Sequence, residues 1–227
     1  MFPLFKAFRS QSNIPYTYDT VQILGERDVQ AECLFVTSSG QSLFAVIADG
    51  IKDSKTGLGN AKLAIEVLKD MYRSGLHKTI PAGNPVDSIF GQAVEKINKT
   101  IESHAMRQNY RPSVTAVIIE AGVLHVAEMH DSIHGGGVYI CKNGQLRIVR
   151  KTKSIAKAVV SNIKLKGNES ILLASDGAAA SLSETEIINC LSDGPHINKC
   201  LKLRNLILQK SLKDQANATL ITMELAR

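Results

Sequence analysis

Phe44 to Gly57 reads FAVIADGIKDSKTG, an apolar run that stops at a carboxylate and a glycine and gives way to lysines and small polar residues. A short uninterrupted apolar run bounded by turn residues reads as a strand buried on both faces. Asp49-Gly50 at its end has two readings. It can open a turn, since Asp-Gly is favoured after any strand, or it can hold a cation. On the N-terminal side, VQAECLFVTSSGQSLFAVIADG reads as two strands joined by a Ser-Ser-Gly turn at Ser38 to Gly40, a hairpin with FAVIAD as its second arm.

The chain beyond this hairpin reads as α+β. GLGNAKLAIEVLKDMYRSG carries Leu63, Ile65, Val67, Leu68 and Met71 and ends near Gly75, the pattern of one helix. VDSIFGQAVEKINKTIESHAM places Ile89, Phe90, Val94, Ile97 and Ile101 on one helical stripe. SVTAVIIEAG, VLHVAEMHD, GGVYICKNG and QLRIVRK then follow as an antiparallel meander, with Ala121-Gly122 and Asn143-Gly144 at the expected tight turns. ESILLASDG reads as another buried strand, and SLSETEIINCL as a helix with Ser183 and Glu186 spaced as a capping box. HINKCLKLRNLILQKSL reads as a longer helix and ATLITMEL as a last strand. Strands in sequential runs with helices grouped between them argue for an α+β sandwich over alternating βαβ units.

At 227 residues the chain is read as one domain, 1–227, with 1–17 as an N-terminal extension. No apolar run approaches the roughly 20 residues that span a bilayer, which excludes a membrane helix. The start, MFPLFKAFRSQS, lacks the long apolar stretch of a signal peptide, so a cytoplasmic location is expected. Cys33, Cys141, Cys190 and Cys200 are spaced too irregularly for a zinc knuckle and read as reduced, mostly buried thiols. The net charge of +6 invites nucleic acid, but the lysines are scattered, with a modest cluster over KTKSIAK and IKLKG and few aromatics for stacking. A solvated basic face or an acidic phosphorylated partner explains the charge as well, and neither nucleic acid nor membrane is expected as a partner.

Two apolar strands end alike, FAVIADG at Asp49 and ILLASDG at Asp176. Carboxylates converging on one sheet edge would repel and raise each other's pKa, and cations are the natural compensation. Hard oxygen ligands without a His-Cys set favour magnesium or manganese over zinc.

From about Gly25 to Leu225 the sequence resembles the metal-dependent protein serine/threonine phosphatases, the PPM or type 2C family, in its small bacterial form. Five stretches carry the resemblance in the family's order: GERDVQAE, FAVIADG, SVTAVIIEAGVLHVAEMHDS, LKGNESILLASDG and NATLITMEL. The resemblance implies a four-layer α-β-β-α sandwich of two mostly antiparallel sheets. It implies hydrolysis of phosphoserine and phosphothreonine by a metal-activated water, with two Mn2+ or Mg2+ ions about 3.5–4 Å apart. The implied partners are a phosphorylated protein substrate or a cognate Ser/Thr kinase. Arg27 would clamp the phosphate, Asp49 would bridge the ions, Gly50 would offer its carbonyl to one, and Asp176 would hold the other.

The sequence departs from the family pattern at several points. Ile51 to Lys55 stands where a Gly-Gly loop is usual, and Ala31-Glu32 replaces an acidic pair, leaving Glu32 to reach the metals or their water. His130 replaces the Gly of a Gly-Asp-Ser motif; with Asp131 and His134 it reads either as a metal or proton-transfer group or as turn contacts. Ala216 stands where the last metal-binding aspartate is expected, and Asp214, two residues earlier and so on the same face of an extended chain, is the substitute candidate. A catalytically impaired binding module of the same fold, recognising a phosphoprotein or a kinase, is the competing expectation.

Overall fold

The computed structural model describes residues 16–39, 42–50, 55–74, 85–103, 111–129, 136–149, 159–192, 198–210 and 215–225. Strands β1 (Tyr16–Ile23), β2 (Glu32–Ser39) and β3 (Ser42–Asp49) are followed by helices α1 (Lys55–Arg73) and α2 (Pro85–Ser103). Next come β4 (Ser113–Glu120), β5 (Val123–Met129), β6 (Gly137–Lys142), β7 (Gln145–Val149), β8 (Val159–Lys164) and β9 (Ser170–Ala174). Helices α3 (Asp176–Ser181), α4 (Glu184–Ser192) and α5 (Lys199–Gln209) precede β10 (Ala218–Leu225).

The strands form two five-stranded sheets, ordered β1-β10-β9-β6-β7 and β2-β3-β4-β5-β8. Every pairing among the described residues is antiparallel. Helices α1 and α2 cover the outer face of the second sheet, and α4 and α5 cover that of the first. This is the expected four-layer sandwich.

Strand β3 shows why an all-apolar run was needed. Leu43, Ala45 and Ile47 point into the core between the sheets. Phe44, Val46 and Ala48 point into the core under α1 and α2. With both faces buried, alternation disappears from the sequence although it persists in space. Phe44 stacks on Tyr72 of α1 at 4.8 Å between ring centroids, and the Tyr72 hydroxyl donates to Ser42 Oγ at 3.2 Å. Each such fully buried large side chain contributes about 1.5–3 kcal/mol.

Several boundaries differ from those read in the sequence. Ser38 and Ser39 belong to β2, where Ser39 pairs with Ser42, so the hairpin turns later than a Ser38–Gly40 turn would require. Tyr16 and Thr17 belong to β1, which pairs along its length with β10. At Asn143-Gly144 both φ angles are positive, 50° and 75°, as a two-residue hairpin turn demands. The Ser183 capping box forms: Ser183 N donates to Glu186 Oε2 at 2.8 Å and Glu186 N donates to Ser183 Oγ at 3.3 Å. Lys199, at the start of the helix read over HINKCLKLRNLILQKSL, is only 3% exposed, with its ammonium against Glu224, Ser170 and the Leu191 carbonyl.

The cysteines are reduced and, Cys33 excepted, buried. Burial pushes the Cys200 thiol up to about 12, which keeps it protonated and rules it out as a nucleophile.

Candidate metal centre

The register of one hairpin creates the site. Asp49, the last residue of β3, pairs directly with Glu32, the first residue of β2, and on its other side with Ser113 of β4. Directly opposed residues share a face with Cβ atoms about 4.5–5.5 Å apart, where like charges are destabilising. The third carboxylate arrives from the other sheet. Strand β9 ends at Ala174, and Ser175 ties it to β10: Ser175 N donates to the Thr219 carbonyl, and Thr219 N donates to Ser175 Oγ, both at 2.9 Å. Asp176 then opens α3. It does not end a strand, as read from the sequence, but sits one residue past Ser175 at the helix N-terminus, with Gly177 N donating to its Oδ1 at 2.7 Å.

One carboxylate oxygen each from Glu32, Asp49 and Asp176 lies within 4.8 Å of the others. Glu32 is 3% exposed, and its Oε2 is buried without a hydrogen-bond partner. Burial pushes its carboxyl up to about 8; the charges of Asp49 and Asp176 add to the rise, and the Thr219 and Ser175 hydroxyls oppose it. An all-oxygen donor set with an orphaned, desolvated carboxylate oxygen fits a hard divalent cation, which would supply the missing partner and favour the ionised form.

This has a measurable outcome without metal. Glu32 holds a proton in the fold up to about pH 8, whereas its ordinary value is 4.5. Its contribution to stability is therefore complete below about pH 4.5 and is lost as pH rises through about 8. Urea midpoints of the metal-free protein should fall between pH 5 and pH 8.5, and Glu32→Gln should remove that part of the slope. Equal slopes for the two proteins would exclude Glu32 as the source.

Two glycines let the backbone close around the cluster. A Cβ on Gly50 would lie 2.0 Å from the Gly57 carbonyl oxygen of α1. A Cβ on Gly177 would lie 2.0 Å from the Asn217 carbonyl oxygen, again backbone that cannot yield cheaply. Gly177→Ala is expected to cost about 1–3 kcal/mol in a denaturant melt and to weaken Mn2+ binding together with it. An unchanged midpoint would show that α3 moves freely.

Of the residues singled out in the sequence, Glu32, Asp49 and Asp176 come together and Gly50 adjoins them, buried, its N–H donating to the Ala31 carbonyl at 3.2 Å. Arg27 is exposed on the segment between β1 and β2, at the same end of the sandwich. Ala31 is fully buried and supplies no carboxylate. Asp214 and the His130, Asp131 and His134 group lie outside the described residues. Sequence reasoning missed Ser175 and Thr219, whose hydroxyls face Glu32. Their only signal was a polar residue at a buried position of an otherwise apolar strand end.

No family model matches the sequence, and no curated protein matches it either. Solved structures do. The serine/threonine phosphatase PstP/Ppp of Mycobacterium tuberculosis superposes with a TM-score of 0.73 at 16% identity, over 93% of this chain and 99% of that one. The PstP catalytic domain is also solved with 2 manganese ions. The S. agalactiae serine/threonine phosphatase gives 0.75 at 14% identity, over 92% and 99% of the two chains. RsbX in complex with magnesium gives 0.70 at 12% identity, over 97% and 100%. The likeness establishes the fold, which is that of the PPM or type 2C phosphatases.

Proposed function

We propose that this chain is a PPM-type, metal-dependent protein phosphatase acting on phosphoserine and phosphothreonine. The observation that carries the reading is the convergence of Glu32, Asp49 and Asp176 at one end of a sandwich of that fold, with a buried Glu32 oxygen lacking any partner. The solved neighbours with manganese and magnesium support Mn2+ or Mg2+ as the ion.

Asp49, Glu32 and Asp176 would hold the cation, with the Gly50 carbonyl beside them. Such an ion lowers the pKa of a water and polarises phosphoryl oxygens. Glu32 must give up its proton to take part, so binding near neutral pH releases protons. Arg27, on the rim, would hold two phosphoryl oxygens through the fork of its guanidinium. Asp214 is the sequence candidate for a second ion. Phosphorylated proteins and a cognate kinase are the partners that follow, in a cytoplasmic setting; among the described residues no helix is long and apolar enough to cross a membrane.

The reading is tested by hydrolysis of a phosphothreonine peptide with added Mn2+. Turnover should require the metal, and Arg27→Ala should raise KM about 10- to 100-fold, the worth of hydrogen bonds to a charged group. A chain with no Mn2+-dependent turnover that still captures a phosphoprotein would instead be the binding module. The buried Ala31, where a carboxylate is usual, favours that second reading.

A further inference from the structure

We infer that Asn217 is a positioning residue that registers the Arg27 segment to the Asp176 end of the site; this rests on the phosphatase reading above. Asn217 is 2% exposed and precedes β10. Its Oδ1 accepts from Gly25 N at 3.2 Å and its Nδ2 donates to the Val29 carbonyl at 2.8 Å. Both ends of one carboxamide are therefore committed to the two ends of a five-residue segment with Arg27 at its centre.

The neighbouring backbone reinforces the hold. Glu26 N donates to the Gln215 carbonyl at 2.9 Å. A Cβ on Gly25 would come within 2.1 Å of that same carbonyl oxygen, so the segment lies flush against residues 215–216. On its other side Asn217 lies against Gly177, the residue after Asp176. Its own carbonyl oxygen is the atom that a Cβ on Gly177 would meet at 2.0 Å, one residue after Asp176. The side chain thus locates the phosphate clamp while the main chain abuts the residue next to a candidate metal ligand.

Asparagine suits this place chemically. It offers an acceptor and a donor at one length, whereas an ionised aspartate offers only acceptors and alanine neither. Positioning of this kind matters because a misplacement of about 1 Å can cost on the order of 100-fold in rate. A role confined to stability would lower every property together; a positioning role lowers those of Arg27 alone.

The test uses the full chain, Arg27→Ala, Asn217→Ala and the double variant. Calorimetry gives the affinity for Mn2+ and, on Mn2+-loaded protein, for inorganic phosphate; KM and kcat are read on a phosphothreonine peptide. Asn217→Ala is expected to weaken phosphate binding and raise KM about tenfold or more. Its Mn2+ affinity should stay within about twofold of the parent, and the double variant should be no worse than Arg27→Ala to the same margin. Losses that add, or an equal loss of Mn2+ affinity, overturn the inference. If Asn217→Ala does not fold, Asn217→Ser, whose hydroxyl replaces at most part of the two contacts, should lower phosphate affinity in the same direction, and an unchanged affinity overturns the inference. The unsubstituted chain offers a check of its own: the Gly25 amide must exchange slowly with deuterium, and fast exchange overturns the positioning role. Phosphate affinity unchanged in Arg27→Ala would strike the phosphate-clamp reading itself and leave the loop contacts of Asn217 standing.

Discussion

Asp49→Asn is expected to abolish Mn2+-dependent hydrolysis of a phosphothreonine peptide, with kcat/KM falling by more than about 100-fold. The bound is set by analogy with metal sites at large, where losing a group that merely hydrogen-bonds a ligand costs about 10- to 100-fold, and Asp49 is itself a candidate ligand. It lies opposite Glu32 in the hairpin register and within 4.8 Å of the Glu32 and Asp176 oxygens. The same substitution removes a negative charge from a crowded cluster of carboxyl groups, so the metal-free variant should unfold at higher urea than the parent. Opposite changes in activity and stability are the mark of a site assembled for a charge it must import. Metal-dependent turnover retained in Asp49→Asn would remove Asp49 from the metal centre.

Glu224→Ala is expected to cost about 3–5 kcal/mol in equilibrium unfolding, because it strands a buried ammonium. Glu224 of β10 sits opposite Ser170 of β9, and the Lys199 ammonium reaches both. Lys199 is 3% exposed, so water cannot fully replace the lost partner. Replacing both partners, Lys199→Met with Glu224→Leu, should cost far less than Glu224→Ala alone, since a buried ion pair gains little over a well-packed apolar pair. A double variant as unstable as the single one would mean that the pair contributes net stability.

The apolar core of the fold was legible because central strands advertise themselves. FAVIAD and SILLA are flanked by pairing partners and buried on both faces, so they read as uninterrupted apolar runs. The strands that escaped notice, β1 and β8, are edges. YTYDTVQI buries most of its residues only partly, and its Asp and Thr residues hide the alternation. Asp49 was legible as a strand-ending carboxylate in its own right. Glu32 was harder, since its role depends on hairpin register. A turn at Ser38 to Gly40 would set Asp49 against Val29, whereas the observed pairing of Ser39 with Ser42 sets it against Glu32. The contacts of Asn217 could not be read, because they lie in the shape of a loop about 190 residues away in sequence, at Gly25 and Val29.

Strand β10 lies between β1 and β9, so among the described residues the first strand in the sequence has the last as its sheet neighbour. A ribosome that has released β1 through β9 has produced a sheet with a gap in it. Ser175 then has no Thr219 to fasten it, and the 24–30 segment has no Asn217 to rest against. Pairings so distant in sequence form slowly and only after the intervening chain exists. The nascent polypeptide should therefore be unable to capture a divalent ion until residues 217–225 have emerged, so the centre waits on the strand that closes the sheet.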